Sequence, residues 1–125
     1  MSRRPLSVDA RTQAQELFLR RLLHFYAGTH GEPQREKARV ALENKLPLFV
    51  TEWGSVNANG DGQVNREQTE AWMRFLRSND ISHVSWAIND KAEGASAYVP
   101  ESMLLTPSGE LAKGIVGSWW KTSRD

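Results

Sequence analysis

The sequence has no cysteine, so disulfides and thiolate metal sites are excluded. It has no apolar run approaching the roughly 20 residues that a membrane-spanning helix requires, and no membrane partner is expected. A large charge of either sign is also missing. The formal net charge is +1, which argues against bulk nucleic-acid binding. Nine basic and five acidic side chains over residues 1–45 give way to seven and ten over residues 46–125. That asymmetry is mild, and a solvated helix face accounts for it. Met1-Ser-Arg-Arg-Pro-Leu-Ser7 starts with basic residues but no apolar core follows. No secretory signal is therefore expected, which leaves the location cytoplasmic or undetermined. No low-complexity tract, interdomain linker or sequence repeat interrupts the chain.

What is there is ordinary for a globular protein: 125 residues, 39% hydrophobic and 25% charged. That is enough for one domain with a hydrophobic core. Residues 9–21 predict a helix, with Ala14, Leu17 and Phe18 on one face at i, i+3 and i+4. Leu22 to Ala27 predicts a strand, ended by the turn chemistry of Gly28-Thr-His-Gly31. Pro33 opens a helix through Asn44 with Ala38, Ala41 and Leu42 inward, because the first helical turn needs no partner for proline's missing N–H. Pro47 to Trp53 predicts a second strand, whose run Leu48-Phe49-Val50 suggests burial on both faces. After a loop from Gly54 to Val64, Asn65 and Gln68 form a capping-box pattern. The helix it starts turns Trp72, Phe75 and Leu76 inward and sets Arg74 and Arg77 near the negative end of its dipole. Ile81 to Ile88 predicts a third strand and Asn89 to Thr106 a long loop. Thr106-Pro107 starts a last helix with Leu111, Ile115 and Trp119 on one face. Strand and helix alternate, which predicts an α/β fold built of parallel β/α units.

In a β/α barrel the chemistry sits at the C-terminal strand ends. Here the three strand ends read His24-Phe-Tyr26-Ala-Gly-Thr-His30, Thr51-Glu52-Trp53-Gly54 and Trp86-Ala-Ile-Asn89-Asp90-Lys91-Ala-Glu93. Singly, each has an ordinary explanation. Glu52 could be a strand-end carboxylate reaching water, and Trp86 a core residue. His24 and Tyr26, two apart on one strand face, could make routine hydrogen bonds. Together the three clusters would meet on one face.

These three segments resemble the last three strand ends of bacterial family 5 cellulases, glycoside hydrolases with a (β/α)8 barrel. The resemblance runs from about Leu23 to about Val116. It implies a partial TIM barrel, three C-terminal β/α units corresponding to strands six to eight. Residues 22–120 would form this part. Residues 1–21 would be a non-family, helical segment and residues 121–125 a tail. By this resemblance Glu52 is the nucleophile of a retaining mechanism, Tyr26 its hydrogen-bond donor and His24 a histidine near the cleavage subsite. Trp86 would lie under a sugar ring, and Lys91 and Glu93 would bind sugar hydroxyls. The implied partner is a β-1,4-glucan, and no cofactor is implied. The Phe-Tyr-Ala-Gly-Thr-His and Asp-Lys-Ala-Glu runs are most similar to the bacterial endoglucanase branch. Members of the family are typically secreted.

The chain also departs from the family pattern. The general acid is a glutamate after an asparagine at the end of strand four, and no Asn-Glu pair precedes His24. A complete barrel typically takes about 250 residues. The expectation is therefore a truncated or partial product whose open sheet edges and bare inner face invite self-association. Three other functions compete with hydrolysis. Asn57-Ala-Asn59-Gly-Asp61-Gly62-Gln-Val64 resembles the first half of an EF-hand or dockerin calcium loop, but position 12 is Gln68 rather than glutamate. Trp86, Lys91 and Glu93 could hold a sugar without chemistry. His24, His30 and His83 are the ligands a zinc site could use, with His83 expected mid-strand and apart from the others.

Overall fold

The structure is a computed structural model that describes residues 22–121. The helix expected over residues 9–21 lies outside them, as do residues 122–125. The described chain runs β1 (Leu22–Tyr26), α1 (Glu32–Glu43), β2 (Phe49–Gly54), α2 (Arg66–Ser78), β3 (His83–Ser85) and α3 (Pro107–Ser118). The strands form one sheet in the order β1-β2-β3, parallel throughout. This is the α/β alternation that the sequence predicts.

Local chemistry sets the helix starts. Gln34 Oε1 accepts from the Gly31 N–H at 3.0 Å ahead of α1. Asn65 Oδ1 accepts from the Gln68 N–H at 3.0 Å, which caps α2. The other half of that capping box is not made, because Gln68 Oε1 is buried without a partner. Thr106 Oγ1 accepts from the Gly109 N–H at 3.0 Å and caps α3.

One core joins the sheet to all three helices. Phe25, Val50 and Trp53 from the strands pack with Ala38, Trp72, Met73, Phe75 and Leu76; α3 adds Ala112 and Ile115, and its C-cap Trp119 joins them. Phe25 lies between two indoles, stacked on Trp72 at 4.0 Å and on Trp53 at 6.0 Å between ring centroids. Arg35, which helical spacing puts on the same face as Ala38 and Leu42, is buried with its guanidinium over Trp72.

Two expectations need correction. Phe49 is 42% exposed while Val50 is fully buried, so β2 is covered on one face only. On the other face Leu22, Phe49 and Val84 are exposed, while Tyr26 at the strand end packs with Val56 and Ala95. The third strand is three residues long rather than eight. Ile81 is a core residue before it. After Trp86 the backbone bonds to the following loop instead: the Ala97 N–H donates to Ala87 O at 3.0 Å and the Tyr98 N–H to Asn89 O at 3.0 Å. The apolar run Ile81–Ile88 thus mixes core, strand and loop, which a continuous run of such residues does not distinguish. No helix among the described residues is long and apolar enough to cross a membrane.

Candidate active site

Strict alternation along β2 from buried Val50 would turn Glu52 toward the helices and Trp53 away from them. The reverse is found. Trp53 is 1% exposed in the helix-side core. The pairing slips by one residue on both sides: β1 matches Leu23 to Val50 but His24 to Glu52, and β3 matches His83 to Val50 but Ser85 to Trp53. One extra residue in β2 makes a bulge, which turns Thr51 and Glu52 in succession toward the open face of the sheet.

There they meet the polar pair of β1. His24 Nε2 lies 2.7 Å from Thr51 Oγ1. The Tyr26 hydroxyl donates a short hydrogen bond to Glu52 Oε2. The turn after β1 fixes Tyr26, because its carbonyl accepts from the N–H groups of Thr29 and His30 and its own N–H donates to His30 Nδ1 at 2.9 Å. Gly54 admits the phenol ring, since a Cβ there would stand 2.5 Å from it.

Burial, then the hydrogen bond to Glu52, then the charges of Glu52 and Glu93, push the Tyr26 phenol well above its ordinary value of 10.0. It therefore stays a donor at every physiological pH. A phenol raised on folding adds stability that is intact below pH 10 and lost as pH climbs through the folded value. Urea unfolding measured between pH 8 and 12 should show a decline beginning near pH 10. Tyr26→Phe should flatten that decline, and an unchanged slope would contradict the assignment.

The charge of Glu93 adds the smallest part of the rise in the Tyr26 phenol. The Glu93 side chain is 16% exposed, and its Oε2 lies 3.4 Å from Nζ of exposed Lys91. With its lysine end in solvent the ion pair contributes little to stability, so its interest lies in position. Trp86 is 49% exposed. Its N–H donates to Trp53 O at 2.8 Å, which sets its backbone beside the residue after Glu52. Its side chain borders a groove of about 660 Å³ along β3 and α3, lined also by Val84, Ile88, Met103 and Val116 but not by Glu52.

The candidate calcium loop is bonded internally. Asn59 Oδ1 accepts from the Asp61 N–H, and Asp61 Oδ1 from those of Gly62 and Gly94. The three histidines separate: His24 faces Thr51, His30 accepts from Tyr26, and His83 Nδ1 accepts from Trp53 Nε1 at 3.0 Å. Among the described residues no three His, Cys, Asp or Glu side chains gather as a metal site. Burial, and then the charge of Arg77, lower the pKa of His83. This agrees with its acceptor role in the core. Sequence reasoning did not single out Thr51, whose only signal is its place beside Glu52. Asp61 carries a signal only as one oxygen of the competing calcium pattern, and its bond to the Gly94 N–H has none.

Comparison with known proteins follows this geometry. The family model for cellulases, glycosyl hydrolase family 5, matches residues 19–92. The chain is 61% identical over 97 residues to Endoglucanase Z of Dickeya dadantii (strain 3937), a match that covers 78% of this chain and 23% of that protein. It is 36% identical over 109 residues to an endoglucanase of Clostridium saccharobutylicum, covering 81% and 24%. Among solved structures, the catalytic domain of alkaline cellulase K superposes with a TM-score of 0.68 at 29% identity, over 77% of this chain and 37% of that one. The chain thus spans about a quarter of the length of these curated relatives.

Proposed function

Because the chain belongs to glycosyl hydrolase family 5, the cellulases, we propose that it forms the last three β/α units of a (β/α)8 barrel. In this reading it carries the nucleophile side of a retaining endo-β-1,4-glucanase site. The observation that carries the proposal is the hydrogen-bonded Tyr26–Glu52 pair at the ends of adjacent parallel strands. The bond holds one oxygen of the carboxylate, which leaves the other to attack the anomeric carbon. As the bond from Glu52 to that carbon forms, the glycosidic C–O bond breaks, and the departing oxygen leaves either protonated by a second carboxyl group or, without one, as a stable anion. Water then releases the sugar from Glu52 with net retention. His24, Trp86, Lys91 and Glu93 contact the glucan around the cleavage point. The endoglucanase relatives support a β-glucan as the substrate class.

A retaining site needs a second carboxyl group about 5 Å from the first to protonate the leaving oxygen. No Asn-Glu pair stands on a strand end here to supply it. A leaving group that departs as a stable phenolate dispenses with that proton. The chain should therefore cleave 2,4-dinitrophenyl β-cellobioside but act on unsubstituted phenyl β-cellobioside at least about 100-fold more slowly, the usual contribution of a general acid. Equal rates on the two would contradict the missing acid and point first to Glu93. Binding of cellopentaose without release of dinitrophenolate would instead support a non-catalytic sugar-binding remnant. The edges of β1 and β3 and the exposed Leu22, Phe49 and Val84 fit self-association of the chain.

A further inference from the structure

The loop between β2 and α2, whose composition suggests calcium, does something else. It closes on itself through the Asn57 N–H to Asp61 O at 3.0 Å and the Gly60 N–H to Asn57 O at 2.8 Å. From that closed loop the Asp61 carboxylate reaches across to the segment after β3. Its Oδ1 accepts from the Gly94 N–H at 2.8 Å as well as from its own neighbour Gly62 at 2.8 Å. A second strap runs the other way, from the Ala95 N–H to Gly60 O at 3.0 Å.

The contact is tight enough to require glycine at position 94 and is close at position 60. A Cβ on Gly94 would stand 2.2 Å from Gly62 O, and a Cβ on Gly60 would stand 3.3 Å from Glu93 Oε2. Gly60 and Gly62 have φ of 85° and 104°, a region open to glycine and costly for other residues. The two straps therefore hold the residues on either side of one peptide, Gly94 and Ala95, immediately after Glu93. They set the direction of a carboxylate whose side chain is mostly enclosed and whose charge reaches Tyr26.

We propose that Asp61 is a positioning residue, which fixes the Glu93 carboxylate for sugar binding by clamping the Gly94 N–H. The proposal rests on the reading of Glu93 as a ligand of glucan hydroxyls. The Gly62 and Gly94 N–H donors hold the Asp61 carboxyl below the usual carboxylate range, so the clamp stays charged at neutral pH. One charge-assisted hydrogen bond of this kind is enough to change an affinity by about tenfold.

The test uses the whole chain and cellopentaose, titrated by calorimetry, with hydrogen exchange of the Gly94 amide followed in parallel by NMR. Asp61→Ala should weaken cellopentaose about tenfold, about as much as Glu93→Gln. The double variant should be no weaker than either, because both changes remove one interaction. Asp61→Asn keeps the acceptor oxygen and should bind within about threefold of the wild type. The Gly94 amide should be protected in the wild type and Asp61→Asn and exchange faster in Asp61→Ala. Additive losses, or an Asp61→Ala variant that binds as the wild type does, would overturn the positioning role while the sugar-binding reading stands. If the wild type binds no cellopentaose, the sugar-binding reading of Glu93 fails and the proposal falls with it. Hydrogen exchange would then still show whether the clamp exists.

Discussion

Glu52→Gln is expected to lower hydrolysis of 2,4-dinitrophenyl β-cellobioside by at least about 10⁴-fold, the scale on which removal of a nucleophile acts. The substitution preserves shape and leaves a carbonyl oxygen for the Tyr26 hydroxyl to donate to. Folding and cellopentaose affinity should therefore change little, and the loss should appear in kcat rather than KM. The amide oxygen cannot form the glycosyl ester that the retaining route passes through. A change to Glu52→Ala with added azide offers a second readout. A small anion attacking from the vacated face would give the α-glycosyl azide, since only one inversion then occurs. Residual activity within tenfold of the wild type would mean that another group does the chemistry.

The second large effect concerns the core. Trp72→Ala should cost about 3–5 kcal/mol of folding stability, which approaches the whole stability of a small domain. Trp72 is fully buried, stacks on Phe25 and donates its Nε1–H to the His30 carbonyl at 2.9 Å. Its removal leaves a cavity in the middle of the sheet–helix interface and an acceptor at the turn that holds Tyr26. Urea unfolding should show the midpoint fall steeply, or no folded baseline at all. A shift of under 1 kcal/mol would mean that the interface collapses to fill the space. Trp72→Phe keeps most of the volume and should lie between the two.

Helices α2 and α3 were legible because each shows its periodicity and its cap in adjacent residues. Trp72, Phe75 and Leu76 are buried as their spacing requires, and Asn65 and Thr106 cap as their side chains allow. Strand boundaries were less so. The Ile81–Ile88 run looks uniform, yet only His83–Ser85 is a strand, because pairing depends on a partner strand far away in sequence. Exposure of Phe49 was missed for a related reason: an apolar strand predicts burial on both faces, and the described residues cover one.

The candidate site was suggested mostly by resemblance. Nothing local marks the bulge that turns Glu52 to the open face, since the pattern Val50-Thr-Glu-Trp53 fits ordinary alternation only if Glu52 points inward to the helices. Short side-chain oxygens and glycines at 57–62 serve a metal or a tight backbone contact equally well. Only the position of Gly94, over thirty residues away in sequence, distinguishes them.

Mass spectrometry of the chain after exposure to 2,4-dinitrophenyl 2-deoxy-2-fluoro-β-cellobioside tests the central claim most directly. Fluorine beside the reacting carbon slows both steps, while the dinitrophenolate keeps the first step open without an acid. The glycosyl-enzyme should then accumulate, with the added sugar on the peptide that contains Glu52 and none in Glu52→Gln. An adduct on another residue, or a folded chain that acquires no sugar, would contradict the assignment of Glu52 as the nucleophile.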